Sequence, residues 1–117
     1  MPVRSLSSSV LRWPDRSLVV RALERWAPEA RRQHPHLIKL GYFGSYARGE
    51  AGVGSDLDLV AVVSESQAPF ERRPLDWDLA TLPVPAQILV YTAREWQALG
   101  STGGRFARVL REETVWF

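Results

Sequence analysis

The sequence predicts a small α/β (α+β) domain with a mixed sheet of about four strands flanked by helices. Three observations predict this class. Apolar runs of strand length alternate with segments of helical periodicity, and Gly- and Pro-containing stretches separate them. The chain has 117 residues, the usual size of one domain. Its expected order is helix, strand, helical turn, strand, irregular region, strand, helix, helix, strand, so we treat residues 1–117 as a single domain.

The composition is that of an ordinary globular protein, with 45% hydrophobic and 24% charged residues. The absence of cysteine excludes disulfides and thiolate metal sites. No apolar run approaches the roughly 18–20 residues of a membrane span. Arg4 is followed by serines rather than by the apolar block of a signal peptide. We therefore expect a cytoplasmic protein without a membrane partner.

The charge pattern does not indicate a nucleic-acid interface. The net charge is only +2, and the arginines are scattered rather than arranged in a stripe. All but one of the 15 cations are arginine, a residue that grips phosphate and carboxylate groups bidentately. Genomic base composition or a hot habitat is the favoured explanation of that usage.

The first third of the chain predicts one long helix. Residues 1–13 form either a short strand or an arm that packs on the body or on a partner. Pro14 and Asp15 have the pattern of a helix start, and the apolar residues that follow recur on one helical face: Leu18, Val19, Ala22, Leu23 and Trp26. Pro28 kinks this helix or starts a second turn, which continues to about Gln33.

Two apolar strands and a glycine-rich turn come next. Residues 37–43 have the pattern of a buried strand, which Gly44 closes. Ser45 is well placed as the N-cap of a short helical turn through Arg48. Glycines 49, 52 and 54 predict a loop, and residues 57–63 form the second strand.

The remaining segments are shorter. Pro69, Pro74 and Pro83, with Pro85 just after, exclude a long element in residues 64–84, although residues 75–79 are compatible with a short one. Residues 86–91 predict a third strand.

A capping box of Thr92 and Glu95 then starts a helix that runs to about Leu99, where Gly100 stops it. A last helix is expected over residues 104–112, and residues 114–117 are expected to add an edge strand.

Two carboxylates at the start of the second strand form a candidate site. Side chains alternate along a strand, so Asp56 and Asp58 point the same way, roughly 7 Å apart. Hard cations such as Mg²⁺ favour one or two carboxylates, with water and substrate phosphates completing the shell. Gly44 and Ser45, at the end of the preceding strand, are suited to phosphate, because they combine free backbone amides with a hydroxyl donor.

Each part of this pattern has a plain structural explanation. A Gly-Ser pair after a strand is usually a turn with a cap, and a Ser-Asp pair before a strand is often part of an ordinary loop. Their joint occurrence favours a site. Arg48 is a candidate phosphate contact, but a surface ion pair with Glu50 is an equal alternative. His34 and His36 have no ligand-like partners and are expected at the surface.

The motif resembles that of the minimal nucleotidyltransferases in the DNA polymerase β-like superfamily. It reads Gly44-Ser45, ten residues, Asp56-Leu57-Asp58. The flanking stretches Phe-Gly-Ser-Tyr-Ala-Arg-Gly at 43–49 and Leu-Val-Tyr-Thr-Ala-Arg-Glu-Trp at 89–96 are also similar. The resemblance covers about residues 36–117. It implies the polymerase β-like fold, with Gly44 and Ser45 on nucleotide phosphates and Asp56 and Asp58 on metal.

The sequence departs from this family at one position. Such enzymes carry a third carboxylate on the next core strand, where this chain has Gln87. A glutamine amide can ligate metal weakly through oxygen, but it has no charge and cannot act as a base. Asp76 and Asp78 are alternative acids close to that strand in sequence.

The resemblance implies an enzyme that transfers a nucleoside monophosphate from a nucleoside triphosphate to a hydroxyl. The expected donor is ATP, and two Mg²⁺ ions are expected as cofactors. The chain leaves no room for a sizeable substrate domain, so another molecule must present the acceptor. A helical HEPN-domain protein, with this chain as its antitoxin, is the implied partner. The alternative is a catalytically weak module that binds nucleotide and acts by contacting its partner. A third alternative is a generic α/β protein with an accidental motif.

Overall fold

A computed structural model describes residues 13–117, so nearly all of the predicted N-terminal arm or strand lies outside the described part. The helices are α1 (Arg16–Gln33), α2 (Ser45–Arg48), α3 (Ala93–Thr102) and α4 (Arg105–Glu113), the strands are β1 (Leu37–Phe43), β2 (Leu57–Val63), β3 (Ala86–Thr92) and β4 (Val115–Trp116), and a 3-10 helix spans Phe70–Asp76. None of the described helices is long and apolar enough to cross a membrane.

The strands form one four-stranded mixed sheet in the order β3-β2-β1-β4. β1 is antiparallel to β2 and to β4, whereas β2 and β3 are parallel. The predicted fold class, a mixed sheet flanked by helices, is therefore confirmed. Asp58 lies opposite Phe43 of β1 and opposite Gln87 of β3.

Each face of the sheet has its own apolar core. The α1 face packs Val19, Leu23, Leu40, Tyr42, Leu57, Leu59, Ala61, Ile88 and Val90. The other face packs Phe43, Val60 and Leu110 under the helices α3 and α4, with Trp96 and Trp116 at its margin. Because strand side chains alternate, Asp58 shares this second face with Val60.

Helix α1 begins and ends close to its predicted bounds, but it is one continuous helix. Asp15 is its N-cap and accepts from the amide of Leu18 at 2.8 Å. The helix then runs through Pro28 to Gln33 without a break, so no separate second turn forms. Buried Ala27 and Ala30 on either side of Pro28 anchor this part of the helix to the core.

Three local expectations are wrong. Gly44, not Ser45, is the N-cap residue of α2, because its backbone turns at a φ of 76° and Ser45 is already helical. The short element in the proline-rich region is the 3-10 helix, which begins at Phe70, includes Pro74 and overlaps the expected residues 75–79 only at 75–76. Helix α3 continues past Gly100 to Thr102, since its capping box and packing outweigh the low helix propensity of glycine.

His34 also differs from its prediction as a surface residue. It is half-buried rather than a plain surface residue, and its ring stacks on Trp77 with centroids 3.7 Å apart and planes 8° apart. Burial lowers the pKa of His34, and the nearby charge of Asp76 partly opposes that shift. His36 is exposed, as expected.

Candidate active site

The structure brings the two halves of the Gly-Ser and Asp-x-Asp motif into contact at one end of the sheet. Gly44 has φ 76° and ψ −150°, a conformation that is essentially restricted to glycine. A Cβ atom at this position would lie 2.5 Å from Oδ2 of Asp58. Glycine is thus required for its backbone angles and for the close approach of the carboxylate to the end of β1.

The charge of Asp56 acts on Asp58. Asp58 is half-buried in β2, and Asp56 is exposed just before it. Burial raises the pKa of Asp58, the negative charge of Asp56 raises it further, and the Arg48 guanidinium partly lowers it. Two neighbouring carboxylates of like charge would gain from a cation between them.

The helical turn that carries Ser45 is anchored to the core on the α1 face of the sheet. Tyr46 is fully buried in the α1 core, and its carbonyl accepts from Nε of Arg16 at 2.9 Å. The amide of Arg48 donates to the carbonyl of Gly44 at 3.0 Å and closes the single turn of α2. Gly49, in the left-handed region, ends it. Ser45 is therefore held half-buried beside Gly44 by the rigid turn.

Arg48 forms surface ion pairs in this structure. Its Nε donates to Glu50 at 2.9 Å, and its Nη1 lies 3.6 Å from a carboxylate oxygen of Glu113 in α4. The pKa of Arg48 is raised, mainly by the hydrogen bond to Glu50. The ion-pair alternative of the sequence is therefore observed, and Glu113 is an additional partner.

The position at which a third carboxylate was expected is occupied by the amide of Gln87. Gln87 pairs with Asp58 across the parallel ladder, so both side chains emerge on the same face of the sheet, and Gln87 is exposed. The alternative acids do not reach this point. Asp76 lies beside His34, at the end of α1, and the carboxylate of Asp78 accepts from the amide of Ala80 at 3.1 Å. Neither of these aspartates replaces the missing carboxylate.

The donor set fits a metal that a substrate helps to hold. Within residues 13–117, no group of three or more His, Cys, Asp or Glu side chains could hold a metal ion. Two carboxylates, Asp56 and Asp58, and the amide oxygen of Gln87 are available. This set is too small for an all-protein cage, but Mg²⁺ is commonly bound by one or two carboxylates together with substrate phosphates.

Comparison with known families identifies the domain. The family model described as "Nucleotidyltransferase domain" matches residues 23–103. The chain belongs to the nucleotidyltransferase domain family. The matched range contains both halves of the motif and Gln87. No curated protein matches the chain.

Two contacts beside the candidate site of this nucleotidyltransferase domain could not be predicted from the sequence. Arg16 of α1 holds the carbonyl of Tyr46, and Glu113 of α4 pairs with Arg48. Both join segments that are far apart in the chain, and both use polar residues that any solvent-exposed helix would carry. Periodicity places such residues on a helix, but it cannot assign their partners.

Proposed function

We propose that this domain transfers a nucleoside monophosphate from a nucleoside triphosphate, with ATP as the donor, to a hydroxyl group and releases pyrophosphate. Membership of the nucleotidyltransferase domain family supports nucleotidyl transfer in general. The observation that carries the proposal is the contact between Gly44 and the Asp58 carboxylate, beside Asp56. The backbone suited to phosphate and the carboxylates suited to metal then face the same substrate.

Each residue of the motif has a role in this proposal. Asp56 and Asp58 would hold Mg²⁺, two ions being expected, with Gln87 as a weak third ligand. Bound Mg²⁺ supplies charge neutralisation and in-line alignment at the α-phosphate. Gly44 admits a phosphate to the backbone, and the Ser45 hydroxyl donates to a phosphate oxygen. Arg48 would bind phosphate only by leaving its ion pair with Glu50.

The transfer itself is an in-line displacement. The bond from the acceptor oxygen to the α-phosphorus forms while the bond from the α-phosphorus to the bridging oxygen breaks, and pyrophosphate leaves. The acceptor hydroxyl loses its proton to water or to a site carboxylate, because the Gln87 amide cannot accept it.

For the acceptor, we propose a hydroxyl on a helical HEPN-domain partner, with this chain as the antitoxin in the cytoplasm. The support is the resemblance of the motif and its flanking stretches to minimal nucleotidyltransferases.

Labelling tests the proposed reaction. The protein is incubated with Mg²⁺, ATP labelled at the α-phosphate and a purified HEPN-domain protein. We expect label on the partner, and its loss with Asp56→Ala/Asp58→Ala or with EDTA. An Asp76→Ala/Asp78→Ala variant is the matched control and should keep full labelling. Label transfer that survives loss of Asp56 and Asp58 would refute the assigned site.

Gln87 supports a second candidate function, a module that binds nucleotide and partner without turnover. Its amide stands beside Asp58, where a charged ligand would complete the site. A stable complex with the partner and no label transfer is expected for this module. Gln87→Asp should then create or raise labelling, whereas Gln97→Asp, which adds the same charge at an exposed position of α3, should not. If Gln87→Asp changes nothing, a missing carboxylate is not what limits the reaction.

A further inference from the structure

A cleft, which we call the basic cleft, lies on the same face of the sheet as Asp58. It is away from the Gly44 site, the name we use for Gly44, Ser45, Asp56 and Asp58. It opens between α3 and α4, above β1 and β4, and has a volume of about 490 Å³. The lining residues that matter here are Lys39, Trp96, Gly100, Arg108, Arg111 and Trp116. Lys39 stands five positions before Gly44, which places this lining residue roughly 16 Å along β1 from Gly44. The nucleotidyltransferase motif contributes no residue to it.

The cleft has an excess of positive charge. Lys39, Arg108 and Arg111 line it, against the single carboxylate of Glu112. Over the described part of the chain, no carboxylate forms an ion pair with any of these three cations, whereas other arginines of the domain have acidic partners. An anion would therefore find uncompensated donors here, and the guanidinium fork is well suited to phosphate oxygens.

Two indole rings adjoin these cations. Trp96 and Trp116 are both half-buried and meet edge to face, with centroids 5.5 Å apart and planes at 85°. The Lys39 ammonium lies 4.9 Å from the centroid of the Trp116 ring. Flat aromatic surface beside cations is the combination by which proteins hold a base and its phosphate.

Gly100 makes room for one of the arginines. A Cβ atom at Gly100 would lie 2.8 Å from Nη1 and 3.0 Å from Cζ of Arg111, so this guanidinium rests directly on the backbone of α3. Glycine inside a helix is unfavourable compared with alanine. The glycine at position 100 is therefore explained by the space that Arg111 occupies in the cleft, and not by the stability of the helix.

We propose that this cleft binds a phosphorylated nucleoside at a site separate from the Gly44 site. Arg108, Arg111 and Lys39 take the phosphate, and the indole rings pack against the base. The volume is in the range of small-molecule sites. The ligand is either a free nucleotide or the terminal nucleotide of an RNA strand, since both present the same chemistry. Binding here needs neither Mg²⁺ nor the two aspartates, so it goes beyond the proposed transfer reaction.

The test uses the full chain with Asp56→Ala/Asp58→Ala in EDTA, so that the Gly44 site contributes no metal-dependent binding. AMP, ATP and a 5′-phosphorylated oligoadenylate are titrated by calorimetry and by tryptophan fluorescence. We expect binding that weakens with salt and falls at least tenfold in Arg108→Gln/Arg111→Gln. Arg105→Gln is the matched control: it removes an exposed arginine of the same helix outside the cleft, and should leave the affinity unchanged. Binding of AMP and ATP indicates a free nucleotide, and binding of the oligonucleotide alone indicates an RNA end.

A second variant separates binding from folding. Gly100→Ala should keep or raise the urea midpoint, because alanine favours the helix, and should weaken nucleotide binding several-fold by displacing Arg111. Equal affinity in the arginine double variant and in the parent would overturn the proposal. So would binding of polyglutamate when all three nucleotide probes fail, which would assign the cleft to an acidic protein segment. Because the two aspartates are absent, neither result depends on the transfer reaction.

Discussion

Gly44 is the residue on which the geometry of the proposed site depends most directly. Alanine there must adopt a glycine-only backbone conformation, at a cost of about 1–3 kcal/mol, and its Cβ would meet the Asp58 carboxylate. We predict that Gly44→Ala lowers the free energy of unfolding by about that amount and abolishes binding of Mg²⁺-ATP, through displacement of Asp58. Urea denaturation and calorimetry measure the two effects.

Gly49→Ala is the matched control. Gly49 also has a φ of 76°, but its ψ of 20° is in the ordinary left-handed region, and a Cβ there meets nothing within 4 Å. Its cost should be about 1 kcal/mol, with Mg²⁺-ATP binding retained. Equal loss of nucleotide binding in both variants would show that the contact between Gly44 and Asp58 is not what organises the site.

The site residues differ in how far the sequence can assign them. Asp56, Asp58 and Gly44 follow from the end of one apolar run and the start of the next, since alternation along a strand fixes which side chains share a face. The sequence also places Gln87 on the adjacent strand. It cannot tell that Arg48 binds Glu50 and Glu113 rather than a phosphate, because a half-exposed arginine finds its partners only in the folded chain.

The attachment of the 3-10 helix to the edge strand β3 depends on one buried arginine. Nη1 of Arg73 donates to the carbonyl of Val90 at 2.9 Å and to Glu95 at 2.6 Å, and its Nε donates to the carbonyl of Ala68 at 2.9 Å. These bonds attach the 3-10 helix to the edge strand and to the start of α3. The sequence gives no sign of this role, because arginine is rarely buried and the prolines of this region suggest only loops.

We predict that Arg73→Lys lowers the free energy of unfolding by about 1.5–3 kcal/mol, because an ammonium cannot reproduce the guanidinium fork. Arg72→Lys is the control. Because Arg72 is exposed, this change should alter the free energy of unfolding by no more than about 0.5 kcal/mol. Urea midpoints measure both. Equal midpoints for the two variants would mean that the 3-10 helix is held to β3 by other contacts.

The same contact predicts a pH dependence. The hydrogen bond from Arg73 holds the pKa of Glu95 below its ordinary range, with help from the Thr92 amide. A carboxyl whose folded pKa is lowered stabilises the fold above its unfolded pKa of about 4.3, and this stabilisation is lost as the pH falls through the folded value. The thermal midpoint of the wild type should therefore exceed that of Glu95→Gln at pH 7, and the difference should shrink toward pH 3. A difference independent of pH would contradict this.

The spans of the main strands could be predicted from the sequence, whereas their arrangement could not. The first two strands match their predicted bounds because each is a mainly apolar run, the first ended by Gly44 and the second preceded by Asp56. The order of the strands depends on pairing between distant segments. β4 shows this best, because it has only two residues and is defined by its contact with Gly41 and Tyr42 of β1 rather than by its own pattern.

Gly41 is the point at which the end of the described chain joins the sheet. A Cβ atom there would lie 2.5 Å from the carbonyl oxygen of Val115, 2.8 Å from Thr114 and 2.9 Å from the Trp116 ring. The carbonyl belongs to the backbone of β4, so it cannot move aside as a flexible side chain can. Alanine would push β4 away from β1 and with it Trp116, which lines the basic cleft.

We predict that Gly41→Ala lowers the free energy of unfolding by about 1–3 kcal/mol, the usual cost of overpacking, and weakens nucleotide binding in the basic cleft. Gly52→Ala is the control, because a Cβ at Gly52 meets open space, and it should be neutral or stabilising by about 0.4–1 kcal/mol. Urea denaturation and the EDTA titration of the cleft measure both effects. A stable Gly41→Ala variant with unchanged nucleotide binding in the cleft would show that the packing of β4 on β1 can accommodate an added methyl group. If the variant is destabilised but keeps its cleft affinity, Trp116 contributes to the fold and not to the ligand.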